Sequence, residues 1–353
     1  MKFLKTKPKQ VMKKVFVAMA AVAAMACSCS KEEVKIGETP VKKGVVHISL
    51  VDDNGTRATG EGHGSNEGDS RINTLEVFVF NVNEGEVNDG LLDGYKKYTS
   101  EELKSLSDLE IKTSTGKKMI YVVANSHKTD WSEGMTKYNF EQQMAYLYKE
   151  DVCNFIMFAA KEVNVQLQTS VTMTLTRMIS RIKLNSVMVS FAGTPNAGVP
   201  LQNVKAYLIN VQAQKRLIDG TGANLKVVNY KKYVPEDMEG ITMEGLLYDE
   251  LAESINEATH SQPHYFYCYE NSRNQETEVN RFTRLVIEGT LNGITYYYPI
   301  PIKDLKRNSC YSIDVKIYRP GSLDPDTDVE IGTLDLTLSI QGWYNLPDSV
   351  VEF

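Results

Sequence analysis

No acidic residue occurs in the first fourteen positions of this 353-residue chain, where six lysines do. An uncharged apolar run follows, "VFVAMAAVAAMA" over residues 15–26. A basic start, about a dozen apolar residues and a small-residue exit describe a secretory signal, too short to span a bilayer. No later segment approaches the length of a membrane span. Cysteine is scarce: beyond residue 30 there are only Cys153, Cys268 and Cys310, an odd number without a spacing framework, which excludes a disulfide scaffold. All three fall in apolar surroundings and are expected as small buried hydrophobes within strands. Excess positive charge is also missing. The formal charge is -6, and near -12 once the six lysines of the signal are set aside, which argues against nucleic-acid binding.

Catalytic signatures are lacking as well. No Gly-x-Ser-x-Gly, P-loop or dinucleotide fingerprint occurs, so neither an enzyme nor a cofactor is expected. Asp324, Asp326 and Asp328 form a D-x-D-x-D run. A calcium loop starting there needs glycine at its sixth position and glutamate at its twelfth, where this chain has Val329 and Asp335. The run is therefore expected to be a solvated linker, with no metal assigned. His260 and His264 have i, i+4 spacing, but Pro263 argues against a helix that would display them on one face.

What is present begins with "ACSCSKEE" (26–33). A disulfide between Cys27 and Cys29 would close a strained ring, and no further metal ligands follow. A signal ending in "A-C" or "S-C" is similar to a lipoprotein signal, in which the cysteine thiol is acylated and becomes the new N-terminus, holding the chain on a membrane. "S-K-E-E" after Cys29 resembles the surface-export signal of lipoproteins in Bacteroidales-type bacteria. Cys29 is the preferred anchor, with Cys27 as the alternative.

After the signal, apolar and polar residues alternate. "LEVFVFNV" (75–82), "MIYVVAN" (119–125), "VNVQLQTSVTMTL" (163–175), "KAYLINVQ" (205–212), "RLVIEG" (284–289), "YSIDVKIY" (311–318) and "LDLTLSI" (334–340) read as half-buried strands. Helical periodicity is sparse; "SEELKSL" (100–106) and "NFEQQMAYLYKEDV" (139–152) are the best candidates, with Ser100 and Asn139 as N-caps. The expectation is an all-β protein with minor helix, built as two β-sandwiches that abut near residues 175–181.

Several stretches, in order, resemble the fimbrillin family, the subunits of Bacteroidales-type type V pili. They are "NTLEVFVFN" (73–81), "KKMIYVVANS" (117–126), "NFIMFA" (154–159), "TLTRMISRIKL" (174–184), "PHYFYCYENS" (263–272), "TYYYPIPI" (295–302), "LKRNSCYSIDVKIYRPGSLDPDT" (305–327) and "LTLSIQGWY" (336–344). The resemblance implies two tandem transthyretin-like sandwiches and a lipoprotein precursor cleaved after an arginine and polymerised by strand exchange. The implied division is a signal at 1–28, a propeptide with the first strand at 29–57, sandwiches at 58–176 and 177–353, and a donor strand closing the second. Implied partners are other copies of the chain, other pilus subunits, an arginine-specific protease, the outer membrane through the lipid, and a host protein or glycan. The alternative is an outer-membrane-anchored or pilus-tip adhesin that does not form a stalk.

The residues carry two of these elements. "GVVHISLVDD" (44–53) puts Val46, Ile48 and Leu50 on one face, and the glycine-rich stretch 54–71 behind it is expected to be open. Arg57 lies a few residues past the strand, where a trypsin-like protease finds it; Arg71 is the alternative but abuts the next strand. Near the other end, Leu334, Leu336, Leu338 and Ile340 form a stripe suited to the groove that Val46, Ile48 and Leu50 would vacate. Burying four such side chains is worth about 6–12 kcal/mol before ordering costs. The acidic, proline-bearing stretch 319–330 before it is expected to let the terminal strand swing out.

Overall fold

The computed structural model describes residues 42–51, 71–99, 101–104, 106–128, 130–131, 134–218, 226–235, 246–329 and 332–342. All lie in one compact unit, Lys42–Phe353. The signal, Cys27, Cys29, Arg57 and Ser100 lie outside the described residues.

Four larger sheets make up the fold. The first has the order β4-β1-β8, from β1 (Lys43–Val51), β4 (Leu109–Ser114) and β8 (Gln168–Thr174). The second runs β3-β2-β5-β7-β9, from β2 (Leu75–Asn81), β3 (Leu92–Tyr98), β5 (Gly116–Ala124), β7 (Met157–Val165) and β9 (Thr176–Arg177). The third is β16-β10-β20-β21, with β17 also on β10. Its strands are β10 (Ile179–Val189), β16 (Ala258–His260), β17 (His264–Tyr269), β20 (Ser309–Ile317) and β21 (Leu334–Gly342). The fourth is β15-β11-β18-β19, from β11 (Leu201–Ile209), β15 (Tyr248–Ile255), β18 (Thr283–Leu291) and β19 (Ile294–Ile302). Two small ribbons complete the strands: β6 (Met144–Tyr146) with β13 (Gln214–Arg216), and β12 (Val211–Gln212) with β14 (Val227–Val228).

The sheets repeat one plan. β1 has an antiparallel neighbour, β4, and a parallel one, β8; β10 likewise has β16 and β17 antiparallel and β20 parallel. The series β3-β2-β5-β7 matches β15-β11-β18-β19, all antiparallel. β21, antiparallel on the open edge of β20, has no counterpart beside β8 among the described residues.

Local chemistry explains the turns and caps. β18 and β19 are joined by Asn292-Gly293, both at positive φ (51° and 79°), as a two-residue hairpin turn requires. The helical segments are shorter than the sequence predicts. Residues 139–152 break into α1 (Lys137–Glu141), β6 and a single 3₁₀ turn. The cap is Thr136, whose Oγ1 accepts from the Asn139 amide, rather than Asn139 itself. Among the described residues near position 100 a 3₁₀ turn forms, Glu102–Lys104, closed by a reciprocal box between Thr99 and Glu102.

Two cores account for most buried apolar residues. One joins Val46, Ile48 and Leu50 to Val77, Val79, Ile120, Val122, Val171 and Met173. The larger one runs from Phe78, Phe80, Tyr121 and Phe140 to the inner faces of the third and fourth sheets. Every residue of β2 is buried, because its two faces serve different cores. Alternation there predicted one wet face, and the aromatic side, Phe78 and Phe80, is covered instead. "VNVQLQTSVTMTL" is likewise not one strand: the chain breaks at Gln166 and Leu167 and crosses from the second sheet to the first. Cys268 and Cys310 are buried in β17 and β20, whereas Cys153 sits partly exposed in a turn outside any strand.

Candidate functional site

β1 is the centre of its sheet, and its alternation explains why. Val46, Ile48 and Leu50 point inward with 0% exposure, while Val45, His47, Ser49 and Val51 face outward and are partly covered. Inward, Ile48 stands between Leu109 of β4 and Val171 of β8, and Leu50 beside Met173. Burial of the three aliphatics is worth about 5–9 kcal/mol. Backbone ladders run along both sides, extended by the Val45 amide to Leu167 O (3.1 Å) and the Leu50 amide to Leu106 O (3.0 Å).

Contacts unsuspected from the sequence also hold this strand. His47 bridges both neighbours, with Nδ1 2.8 Å from Asp108 Oδ1 and Nε2 3.0 Å from Gln168 Oε1. The hydrogen bond to Asp108, then that to Gln168, raises its pKa above the ordinary imidazole value. When protonated it donates to both acceptors. Ser49 Oγ donates to Ser107 O at 2.7 Å. At the strand's start, Gly44 lies so close to the chain that a Cβ would meet Gln166 O at 2.5 Å and Val165 Cγ1 at 2.9 Å. None of this has a local signature, since the partners lie tens of residues away.

Arg71 is exposed, but its carbonyl accepts from Asn125 Nδ2 (2.7 Å) immediately before the buried Ile72. A backbone tied in this way is a poor fit for a protease cleft.

β21 is held very differently. It has the same length as β1, nine residues each, but pairs with one neighbour, β20. Leu334 and Leu338 are partly buried against the larger core, while Leu336 and Ile340 are 40% and 47% exposed. The apolar stripe is thus only half covered where it lies.

The preceding segment departs from the expected solvated linker. Asp326 is buried, accepts a hydrogen bond from Asn210 Nδ2 (2.9 Å) and forms an ion pair with Arg281 Nε (2.9 Å). Asp328 pairs with Arg284 Nη2 (3.1 Å), a buried guanidinium also held by Glu276 Oε2 (2.9 Å). Ser322 forms a bridge with Tyr297. The acids serve as anchors for arginines, because a buried guanidinium requires carboxylate partners. Among the described residues no cluster of three or more His, Cys, Asp or Glu side chains forms a metal site.

One sizeable concavity is polar. About 550 Å³ in volume, it is lined by Lys215, Tyr230, Glu270, Arg273 and Asn280 among others. Arg273 is held there by the side-chain oxygens of Asn271 (2.6 Å) and Asn280 (3.1 Å).

The chain is nearly all β, holds its buried first strand between two neighbours and carries a half-covered strand, β21, after the last of its main sheets' other strands. Residues 45–214 match the family described as major fimbrial subunit protein (FimA). It is 26% identical over 346 residues to the major fimbrium subunit FimC of Porphyromonas gingivalis, covering 93% of this chain and 68% of that protein. The crystal structure of the fimbrilin FimA of Porphyromonas gingivalis superposes with a TM-score of 0.59 at 15% identity, over 86% of this chain and 99% of that one. That of a cell adhesion candidate from Bacteroides eggerthii gives 0.61 at 20% identity, over 87% and 98%. The expected all-β fold with minor helix is the one found, and it matches the fimbrilin structure.

Proposed function

We propose that this chain is a structural subunit of a cell-surface fimbria, made as a lipoprotein precursor acylated at Cys29, cleaved after Arg57 and polymerised by strand exchange. The observation that carries the reading is the contrast between β1 and β21. β1 fills the middle of a sheet with three fully buried aliphatics, and only the chain through residues 52–70 ties it to β2. β21 is equally long, edge-bound and half exposed. Once the tie is cut, β1 is held by non-covalent contacts alone, and an incoming strand with four large aliphatics offers at least equal burial. The close approach at Gly44 sets the register. Large side chains fit at the positions of Val46, Ile48 and Leu50 but not at Gly44, so the fourth residue of the stripe overhangs at the Leu50 end. The repeated sheet plan supports two tandem sandwiches meeting near Arg177. Copies of the chain, an arginine-specific protease and the outer membrane are the partners this route requires.

The test is Arg57→Ala in the full-length precursor. The expected product is a folded monomer that retains β1 and yields no polymer after treatment with an arginine-specific protease, while the unmodified chain polymerises. Wild-type polymer yield from the mutant would overturn the assignment of Arg57. A second reading, an anchored or tip adhesin for a host protein or glycan, draws support from the polar cavity around Arg273 and Tyr230. It predicts surface-exposed chains that begin at an acylated cysteine, which N-terminal sequencing of material from the cell surface distinguishes from chains beginning at Ala58.

A further inference from the structure

We propose that His260 and His264 form a binding site for a divalent transition-metal ion of the zinc, copper or nickel type. The sequence spacing did not favour this pair, because Pro263 forbids the helix that usually presents i, i+4 histidines. The structure brings them together without a helix. β16 and β17 lie one after the other along β10, His260 opposite Val187 and His264 opposite Leu184, and the turn 261–263 between them folds the rings over one another. β10 carries its register shift against β20 in the same stretch, between Leu184 and Ser186. The ring centroids are 5.1 Å apart at 28°, and the two Nε2 atoms approach to 2.9 Å.

Proton placement makes the pair a ligand set. Asp249 Oδ2 lies 2.6 Å from His264 Nδ1 and accepts its hydrogen. That bond fixes the tautomer and leaves the Nε2 lone pair of His264 directed at His260. A carboxylate behind an imidazole is also the arrangement that orients metal-binding histidines and raises their basicity. His260 has no hydrogen-bonding partner among the described residues at Nδ1, so its proton is free to reside there. Both Nε2 atoms then carry lone pairs, 2.9 Å apart, and an ion can bridge them. Tetrahedral ligands at the usual zinc–nitrogen distance are about 3.3 Å apart, so the rings need to open by only about 0.4 Å to admit an ion.

Chemistry and access set the class of ion. Two neutral imidazoles suit borderline metals, whereas calcium and magnesium require oxygen donors. His264 is buried and His260 partly exposed, so the ion enters from the His260 side. With two protein ligands, water fills the remaining positions, and the site is weaker than a closed four-ligand site. Asp249 is a positioning residue, acting through His264. The proposal does not depend on how the chain polymerises.

The experiment uses the untagged full chain, titrated calorimetrically with zinc chloride, nickel chloride and, as a control, magnesium chloride. One equivalent of zinc or nickel is expected to bind and no magnesium. Copper(II) bound to the protein should show imidazole nitrogen couplings in its electron paramagnetic resonance spectrum. His260→Ala and His264→Ala should each abolish stoichiometric binding, and Asp249→Asn should weaken it by about 10–100-fold without changing the stoichiometry. Should His264→Ala, a buried position, fail to fold, His260→Gln at the partly exposed position decides. The proposal is overturned if the folded wild type binds no zinc or nickel at millimolar concentration. Binding that survives His260→Gln unchanged overturns it equally, because the ion would then sit on another of the chain's five histidines.

Discussion

At the scale of single residues, Glu150 is the most informative group outside the strand-exchange elements. Its carboxyl is fully buried, accepting from Tyr269 Oη at 2.7 Å and from the Ile156 amide at 3.2 Å. Burial pushes its pKa up to about 7. His127 lies 3.8 Å away, but burial pushes that imidazole down to about 4 and both its ring nitrogens lack partners, so no ion pair compensates. The folded chain therefore holds a proton that the unfolded chain releases near the ordinary carboxyl value. Stability from this group is complete below that value and is lost as the pH rises through about 7, a change of about 3 kcal/mol. Glu150→Gln keeps the neutral form at every pH. Urea unfolding at pH 5, 6, 7 and 8 should show wild-type stability falling across the series and a much flatter line for the mutant. The proposed cost is wrong if the two lines are parallel. Asp93 adds nothing in this window, since its pKa lies at about 2.

At the scale of elements, the two ends of the chain differ in how they are held, and substitutions separate them. Leu336→Asp places a carboxylate on an edge strand where the leucine is already 40% exposed, so the isolated subunit should lose no more than about 1.5 kcal/mol. In a groove shaped for Val46, Ile48 and Leu50 the same carboxylate is stranded, and polymer yield should collapse. Melting of the monomer together with polymer yield after protease treatment checks this; a large loss of monomer stability would assign β21 to its own sheet alone. β1 carries its own control in His47. Because the imidazole pKa is raised by Asp108 and Gln168, its hold is complete below the ordinary value and lost as the pH rises through the folded one. After cleavage, release of β1 should be severalfold faster at pH 8 than at pH 6, and His47→Leu should remove that dependence. Release rates followed with a labelled competitor peptide spanning 334–342 decide the point.

The strands at both ends were legible in the sequence because period-two alternation is a local signal. His47, Gly44 and the Asp326–Arg281 contact were not, since each depends on a partner brought in by topology. Helix in residues 139–152 was over-read for a related reason. Its apolar spacing fits a helix, yet Met144–Tyr146 pairs with β13, and that tertiary contact overrides local preference.

At the scale of the whole molecule, the repeated sheet plan gives β21 a meaning that neither repeat has alone. Seven of the main strands of residues 43–174 have counterparts in residues 179–317, and β21 is the surplus, lying on an edge whose counterpart at β8 carries no further strand among the described residues. The anchors at Asp326 and Asp328 fix the chain just before it, so any outward swing begins beyond Asp328, close to Gly332 at φ 82°. A strand added to a complete set, behind a fixed hinge point, can leave at the cost of uncovering only the partly buried Leu334 and Leu338 and the core residues they touch. Removing residues 334–353 should therefore lower the melting temperature by only a few degrees. Removing residues 1–51 takes three fully buried aliphatics from the centre of a sheet and should abolish cooperative melting of the core around Val171 and Ile111. Under strand exchange the truncated chain still accepts a donor after cleavage but donates nothing. Mixed one part to ten with the cleavable wild-type chain, it should shorten the polymers seen by electron microscopy without reducing the amount of subunit incorporated. Alone it should form none. Polymer at wild-type yield from the truncated chain would refute donation by β21, and a melting curve as damaged as that of the chain lacking β1 would return β21 to the core of its own sheet.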